Sequence, residues 1–405
     1  MHAPRLRRLA LTLVLVTDCS PLLAEELSTN LHVNGFGTAG FTSVTEDFGG
    51  EYLGNPLLGV EGIDEDGSFS FDNVLGLQVR YQADERLDLV GQLVSVGRED
   101  YDTRAEWAYA AYRVNDNLRL RAGRFAMPLY LYSENIHVGQ AYPWARLPVE
   151  VYATGAFSNV DGVDALYRMP MGDWGLDLQA LVGRQDVNEL AFSATANNLY
   201  SVNATLGNDA FRVRASYSEA EADFTFSPFL LLPAPINAPF PPIDDEKISF
   251  SSLGMTFDDG RWFAAAEAIQ FRFDGWTADR EAAFASVGHY FGKWMPYVMV
   301  SKANAVEGDE CRSTFANYPP VAGAFGPAAP VFAQGFCSAS EQEQTSYSTG
   351  FRYDISPRSS LKLQVDHVTD FHGTPGHFTA PATPTGTLGD DDRSEIITVN
   401  LNTAF

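Results

Sequence analysis

Positive charge is scarce in this sequence. Its 405 residues carry 27 Lys and Arg against 52 Asp and Glu, a formal net charge of −25, and few of the bases are lysine. That balance excludes a nucleic-acid partner, which calls for basic patches. Long apolar runs are missing as well. Beyond residue 24 nothing approaches the ~20 apolar residues that a membrane-crossing helix needs. Catalytic signatures are also absent. No HExxH zinc motif and no Gly-x-Ser-x-Gly nucleophile elbow occurs, so the chain does not read as an enzyme. His372 and His377 share one segment without a third ligand at a useful spacing, and neither a metal nor another cofactor is expected. Cysteine is reduced to three residues, Cys19, Cys311 and Cys337.

What is present begins with a leader. Arg5, Arg7 and Arg8 precede the apolar run Leu9–Val16, and a short polar stretch ends at Ala24. A basic start, a short apolar core and a small residue at the cut make a secretory signal peptide over 1–24, leaving 25–405 as the mature domain. Export permits disulfides. Cys311 and Cys337 then remain as one pair, expected to tie the segment they share into a compact flap.

The mature chain alternates with a period of two. In Leu31–Ser43, Leu31, Val33, Ala39 and Phe41 share one face while His32, Asn34, Thr38 and Thr42 share the other. Leu75, Leu77, Val79 and Tyr81 alternate with Gln78, Arg80 and Gln82, and Leu118, Leu120 and Ala122 with Arg119 and Arg121. Similar runs centre on Leu178, Val213 and Phe351. Trp107–Val114 and Trp262–Phe273 alternate poorly. Short Asn, Asp, Gly and Pro clusters suit tight hairpins at Asp84–Glu85, Asn115–Asn117, Pro170–Asp173, Asn208–Asp209, Asp258–Gly260, Gly292–Lys293 and Ser356–Arg358. Between them lie mostly longer connections: Glu46–Ser68, Glu99–Thr103, Ala126–Ser158, Arg184–Ala196, Glu219–Glu246, Asp274–Arg280, Ala305–Gln344 and Asp370–Arg393. Short turns alternating with longer connections predict an all-β fold, a transmembrane antiparallel β-barrel of about sixteen strands.

Aromatic residues cluster beside the short turns: Tyr81, Tyr112, Tyr167, Trp174, Phe211, Phe257, Trp262, Tyr290, Trp294, Tyr297 and Tyr353. They read as an interfacial girdle. The last strand places Ile397, Val399, Leu401, Thr403 and Phe405 on one face. A terminal Phe closing an alternating strand resembles the assembly signal of Gram-negative outer-membrane proteins. In length, strand count and terminal Phe, the mature chain resembles the general Gram-negative porin family. That resemblance implies a bacterial outer-membrane location, a third external loop folded into the lumen (here Ala126–Ser158), association as a homotrimer, and recognition of the Phe405 strand by the assembly machinery. It implies a water-filled channel for passive diffusion of small hydrophilic solutes and ions. A substrate-specific channel for organic acids, phosphate-like anions or sugars is the alternative.

The strand phases turn Arg80, Arg119, Arg121, Arg168, Arg212, Arg214, Arg352 and Lys362 inward, with Asp164, Asp177, Asp354 and Asp366. Facing lipid would cost Arg or Lys ~2–4 kcal/mol at mid-bilayer. Arg80, Arg119, Arg121, Arg212 and Arg214 are the expected pore wall. Glu134, His137, Arg146, Glu150, Asp161 and Asp164 are the expected constriction, with the loop's charges facing basic wall residues. Tyr130, Tyr132, Tyr142, Trp144 and Tyr152 would pack on the wall with polar tips toward water. The Pro-rich segment 226–242 reads equally as a lid, a subunit contact or a sugar-binding surface. Acidic clusters such as Asp64–Asp66 and Asp390–Asp392 read as a solvated surface.

Overall fold

The computed structural model describes residues 30–54, 60–153, 158–188, 192–226, 241, 243–275, 279–306, 309–379 and 388–405. The leader 1–24, and residues 227–240 and 242 of the Pro-rich segment, lie outside the described residues. Among those described, sixteen antiparallel strands close into one barrel. They are β1 (Leu31–Val44), β2 (Val74–Gln82), β3 (Leu87–Val96), β4 (Thr103–Arg113), β5 (Leu118–Ala126), β6 (Asn159–Met171), β7 (Trp174–Asn188) and β8 (Phe192–Gly207). The second half comprises β9 (Phe211–Phe226), β10 (Ile243–Asp258), β11 (Trp262–Phe273), β12 (Asp279–His289), β13 (Trp294–Val306), β14 (Gln344–Ser356), β15 (Ser359–Thr369) and β16 (Ser394–Ala404). Each strand pairs with its neighbours in sequence. The seam joins β1 to β16 from Phe36↔Ala404 to Val44↔Ile396, and Gly35 and Phe405 exchange both backbone hydrogen bonds at 2.8 Å.

The exterior shows why the strands alternate. Leu75 (64 % exposed), Leu77, Leu89, Leu93, Val163, Val182, Val202, Leu253, Val298 and Leu401 form an apolar outer surface. Inner-face positions next to them hold Gln92, Asp164, Gln179, Asn203, Ser216 and Asn400, all buried. A closed barrel satisfies every strand edge where lipid offers no hydrogen bonds.

The seven short turns fall where the Asn and Asp clusters are. Asp84 Oδ1 accepts from the amides of Arg86 and Leu87 at 2.7 and 2.9 Å, and Asn115 Oδ1 accepts from Asn117 and Leu118 at 2.9 Å. Such side chains close the turn themselves. Gly260 (φ 77°) and Gly292 (φ 64°) supply the left-handed backbone at two others.

Two details depart from the sequence reading, and two strands that alternate poorly are explained. The fourth and fifth long connections are shorter than expected, because β7 runs to Asn188, β8 begins at Phe192, β9 runs to Phe226 and β10 begins at Ile243. β11 alternates poorly because both faces are apolar: its inner Phe263 packs edge-on against Trp144 at 5.8 Å. In β4 a bulge shifts the register at Gln92/Leu93 of β3. Tyr297 leaves the girdle altogether. It is buried on the inner face and donates to Gln364 at 2.8 Å. Tyr81, Tyr112, Tyr167, Trp174, Trp262 and Trp294 are exposed, and Phe291 joins them.

The long connections carry structure of their own. Glu51–Tyr52 of the first pairs with Phe378–Thr379 of the eighth. Tyr52, Ile63, Phe71, Phe371 and Phe378 are buried together around that pair. The third includes one turn of helix, α1 (Val149–Tyr152). The seventh holds α2 (Asp309–Asn317), α3 (Pro319–Phe325) and α4 (Ala329–Ser340), with a disulfide from Cys311 to Cys337 whose Cα atoms are 5.8 Å apart.

Candidate functional site

The third connection is bonded to half the barrel. Its backbone from Pro128 to Trp144 is held by wall side chains on strand after strand. Arg214 donates to Pro128 O at 3.0 Å, while Ser216 and Ser252 donate to Leu129 O at 2.7 and 2.8 Å. Glu267 on β11 accepts from Leu131 N at 2.7 Å and from the Tyr152 hydroxyl at 2.5 Å. Trp144 Nε1 donates to Ser286 on β12 at 2.9 Å. Arg352 donates to Gln140 O at 3.0 Å, and Asn400 donates to Ala145 O at 2.8 Å. Lys362, fully buried on β15, donates to the carbonyls of Gly139, Tyr142 (2.7 Å) and Trp144 (2.9 Å). These anchors span β9 to β16. Tyr130, Tyr132, Tyr142 and Trp144 are buried in one cluster with Phe250, Phe263 and Phe284. Burial pushes the phenols of Tyr130, Tyr132 and Tyr142 well above their usual range, so their tips do not face water as the sequence suggested.

One trio of expected residues comes together. Arg121 grips Asp164 through Nε at 3.1 Å to both carboxylate oxygens and through a terminal nitrogen at 2.6 Å. Its other terminal nitrogen lies 3.4 Å from Glu134, whose side chain is 57 % exposed. Phe125 lies under the guanidinium at 4.6 Å, a favourable cation–π stack. Gln179 donates to Asp164 at 2.6 Å and accepts from Asn203 at 3.0 Å, so the buried carboxylate is fully bonded.

The other expected residues go elsewhere. Arg146 faces an acid rather than a base, with bonds of 2.9 and 2.6 Å to Asp72. Burial raises the Asp72 carboxyl, but the charge and hydrogen bonds of Arg146, with a bond from Thr42, outweigh it and leave the group below its ordinary value. Among the described residues the Glu150 carboxylate forms no ion pair. It is 1 % exposed and accepts from Ser301 and Gln344 at 2.6 Å and from Ser346, while Arg280 donates to its backbone carbonyl at 3.0 Å. His137 lies 3.4 Å from Glu106. Asp161 shares its face with the exposed Val163 and Tyr167 and binds Arg124 at 2.8 and 2.6 Å, so it points outward and not into a constriction. Strand parity already put it on the side opposite Asp164.

Among the wall arginines, Arg80 and Arg119 each reach Asp88 at 3.2 Å. Arg212 lies on the same face as Arg214 and Ser216 and is exposed. Sequence reasoning missed Asp72, Glu106 and Glu267. Glu267 had a usable signal: it is the one acid in an alanine-rich strand, and a charge at mid-strand had to turn inward. Asp72 had none, since its partner Arg146 comes from the third connection, whereas Glu106 binds Arg104 two residues before it as well as lying near His137.

A family model described as Gram-negative porin matches residues 10–372. No curated protein matches the sequence. Several solved structures share the fold. The outer-membrane channel DcaP of Acinetobacter baumannii is 11 % identical, with 93 % of this chain and 97 % of that one aligned at a TM-score of 0.55. An anion-selective porin from Comamonas acidovorans is 10 % identical over 93 % of this chain and 99 % of its own, at 0.54. Pseudomonas putida OprB is 9 % identical over 94 % and 96 %, at 0.54. The family model spans most of the sequence and the barrel agrees with it: the chain belongs to the Gram-negative porin family.

Proposed function

We propose that this outer-membrane porin passes small hydrophilic solutes and ions by passive diffusion, and that residues 126–158 are an inward-folded third loop that sets its narrowest point. One observation carries this reading. The segment is bonded to inner-face side chains from β9 to β16, on the side of the wall opposite the apolar exterior. A sixteen-stranded barrel leaves an aqueous channel unless something fills it. The remaining space then lies against the wall formed by β2 to β8. There Glu134 and Arg121 stand at the edge, and Arg80 and Arg119 line the way, with Arg212 beside them at the start of β9.

Family and fold are those of a channel rather than an enzyme. The leader 1–24 is read as a cleaved signal peptide, the Phe405 strand as the handle for outer-membrane assembly, and outer-membrane lipid as the partner of the apolar belt. Vibrio cholerae OmpT, 8 % identical at a TM-score of 0.52, has been solved in a trimer form, and association of three barrels is the reading for this chain too. Deleting Glu134–Trp144 tests the constriction. Single-channel conductance should rise several-fold, an order-of-magnitude expectation from widening the narrowest point, with size discrimination flattened. Unchanged conductance in a folded deletion variant would rule the loop out.

A further inference from the structure

Four consecutive strands bring three arginines and one carboxylate to the short-turn end of the barrel, on one face by register. Arg80 is on β2, Asp88 on β3, Arg113 on β4 and Arg119 on β5. Asp88 is buried, and one oxygen takes Arg80 while the other takes Arg119, each at 3.2 Å. Arg113 lies directly opposite Arg119 in the β4–β5 register and two residues beyond Ala111, the partner of Asp88. It is exposed and has no acidic partner among the described ion pairs. Like charges directly opposite on one face oppose pairing. The arrangement also runs against the composition, in which acids outnumber bases 52 to 27.

Three arginines against the single acid Asp88, which binds two of them, leave two positive charges over. Arg80 and Arg119 each spend one nitrogen on Asp88, and their side chains remain 42 % and 43 % exposed. A guanidinium has five N–H donors in a planar fork that matches the oxygens of carboxylate and phosphate. A channel with low-dielectric walls focuses such a charge along its axis. We propose that Arg80, Arg113 and Arg119 form a docking subsite for a small oxyanion, a phosphate or a carboxylate, at the short-turn end of the lumen. Asp88 holds two of the arginines in place and tempers the charge so that the anion leaves again, as conduction requires. The site rests on the channel reading but not on residues 126–158 forming the constriction.

The test uses the full mature protein in planar bilayers. Chloride current is titrated with inorganic phosphate in one arm and with succinate in the other. Saturable block by either supports the site, and the arm that blocks names the oxyanion class. In R113Q and R119Q the half-blocking concentration should rise roughly tenfold, as expected for losing one charge-assisted contact, and anion preference should fall. If an arginine variant does not fold, D88N serves instead: removing the single acid should strengthen block several-fold. Block that is absent, or that is the same in wild type, R113Q, R119Q and D88N, overturns the proposal. An inserted barrel that passes no current overturns the channel reading and the subsite with it, a result told apart by the missing chloride conductance.

Discussion

Lys362 Nζ lies 4.6 Å from the ring centre of Tyr142 and donates to that residue's own carbonyl at 2.7 Å. The same ammonium takes the carbonyls of Gly139 and Trp144. One buried cation thus fixes a turn of the third connection from three directions. In K362M the methionine fills the space but leaves the carbonyls without a donor, at about 1–3 kcal/mol for each buried acceptor left unsatisfied. The variant should keep its strand content, unfold at lower denaturant and show noisier open-channel current. Quiet current at wild-type stability would mean that the other anchors suffice.

Glu134 tests charge without stability. Its carboxylate is mostly exposed beside Arg121. E134Q should leave stability within about 0.5 kcal/mol, as for most surface changes. Removing a negative charge at the edge of the passage should move the reversal potential in a salt gradient toward anion preference. A potential that does not move would place Glu134 off the ion path.

Asp164 tests stability. It is fully buried against Arg121. D164A strands a buried guanidinium with only the longer 3.4 Å contact to the exposed Glu134, and breaking such a pair costs about 3–5 kcal/mol. The double variant R121M/D164A removes both charges and should recover much of the loss. Denaturant unfolding of the two variants measures the difference.

The Arg146–Asp72 pair carries a pH dependence with a definite sign. The folded carboxyl titrates below its unfolded value of about 3.9. Its contribution is therefore present above that value and is lost as pH falls through the lower, folded one. Wild-type channels should hold a steady current down to about pH 4, by that reference value, and become noisier below it. D72N should be noisy already at neutral pH and lack the acid-side change.

Reduction tests the disulfide. Cys311 and Cys337 close a segment with a sequence separation of 26. The chain-entropy model assigns such a loop roughly 3–4 kcal/mol. C311S/C337S should expose α2 to α4 to protease while the barrel keeps its heat-modifiable gel mobility. Equal protease resistance with and without the bond would show that packing of Phe315 and Val321 holds the helices alone.

How much of this was legible in the sequence follows from where each interaction lies. Period-two alternation is local, so Leu75–Tyr81 and Leu118–Ala122 gave both strand and face. Asp84, Asn115 and Asp259 close turns with their own side chains, so those turns were legible too. Partners joining distant connections and strands were not. Arg146 finds Asp72 and Glu150 finds Ser301 only after the barrel has closed, and no spacing in the chain announces either. Tyr297 was misread because its position beside a turn mattered less than its parity, which matches Met295 and Met299 on the inner face. Asp161 was misread in the same way.

The seam between Gly35 and Phe405 has a consequence in time. These residues complete each other's backbone bonds, yet one lies in the first strand and the other follows the sixteenth. Contacts so far apart in sequence form slowly. Until β16 exists, β1 waits with an open edge, and so does whichever strand was made last; each is a template for joining the wrong chain. A chain halted anywhere before β16 cannot be a narrower version of this channel. It is a curved sheet with two open margins, each able to pair with another chain.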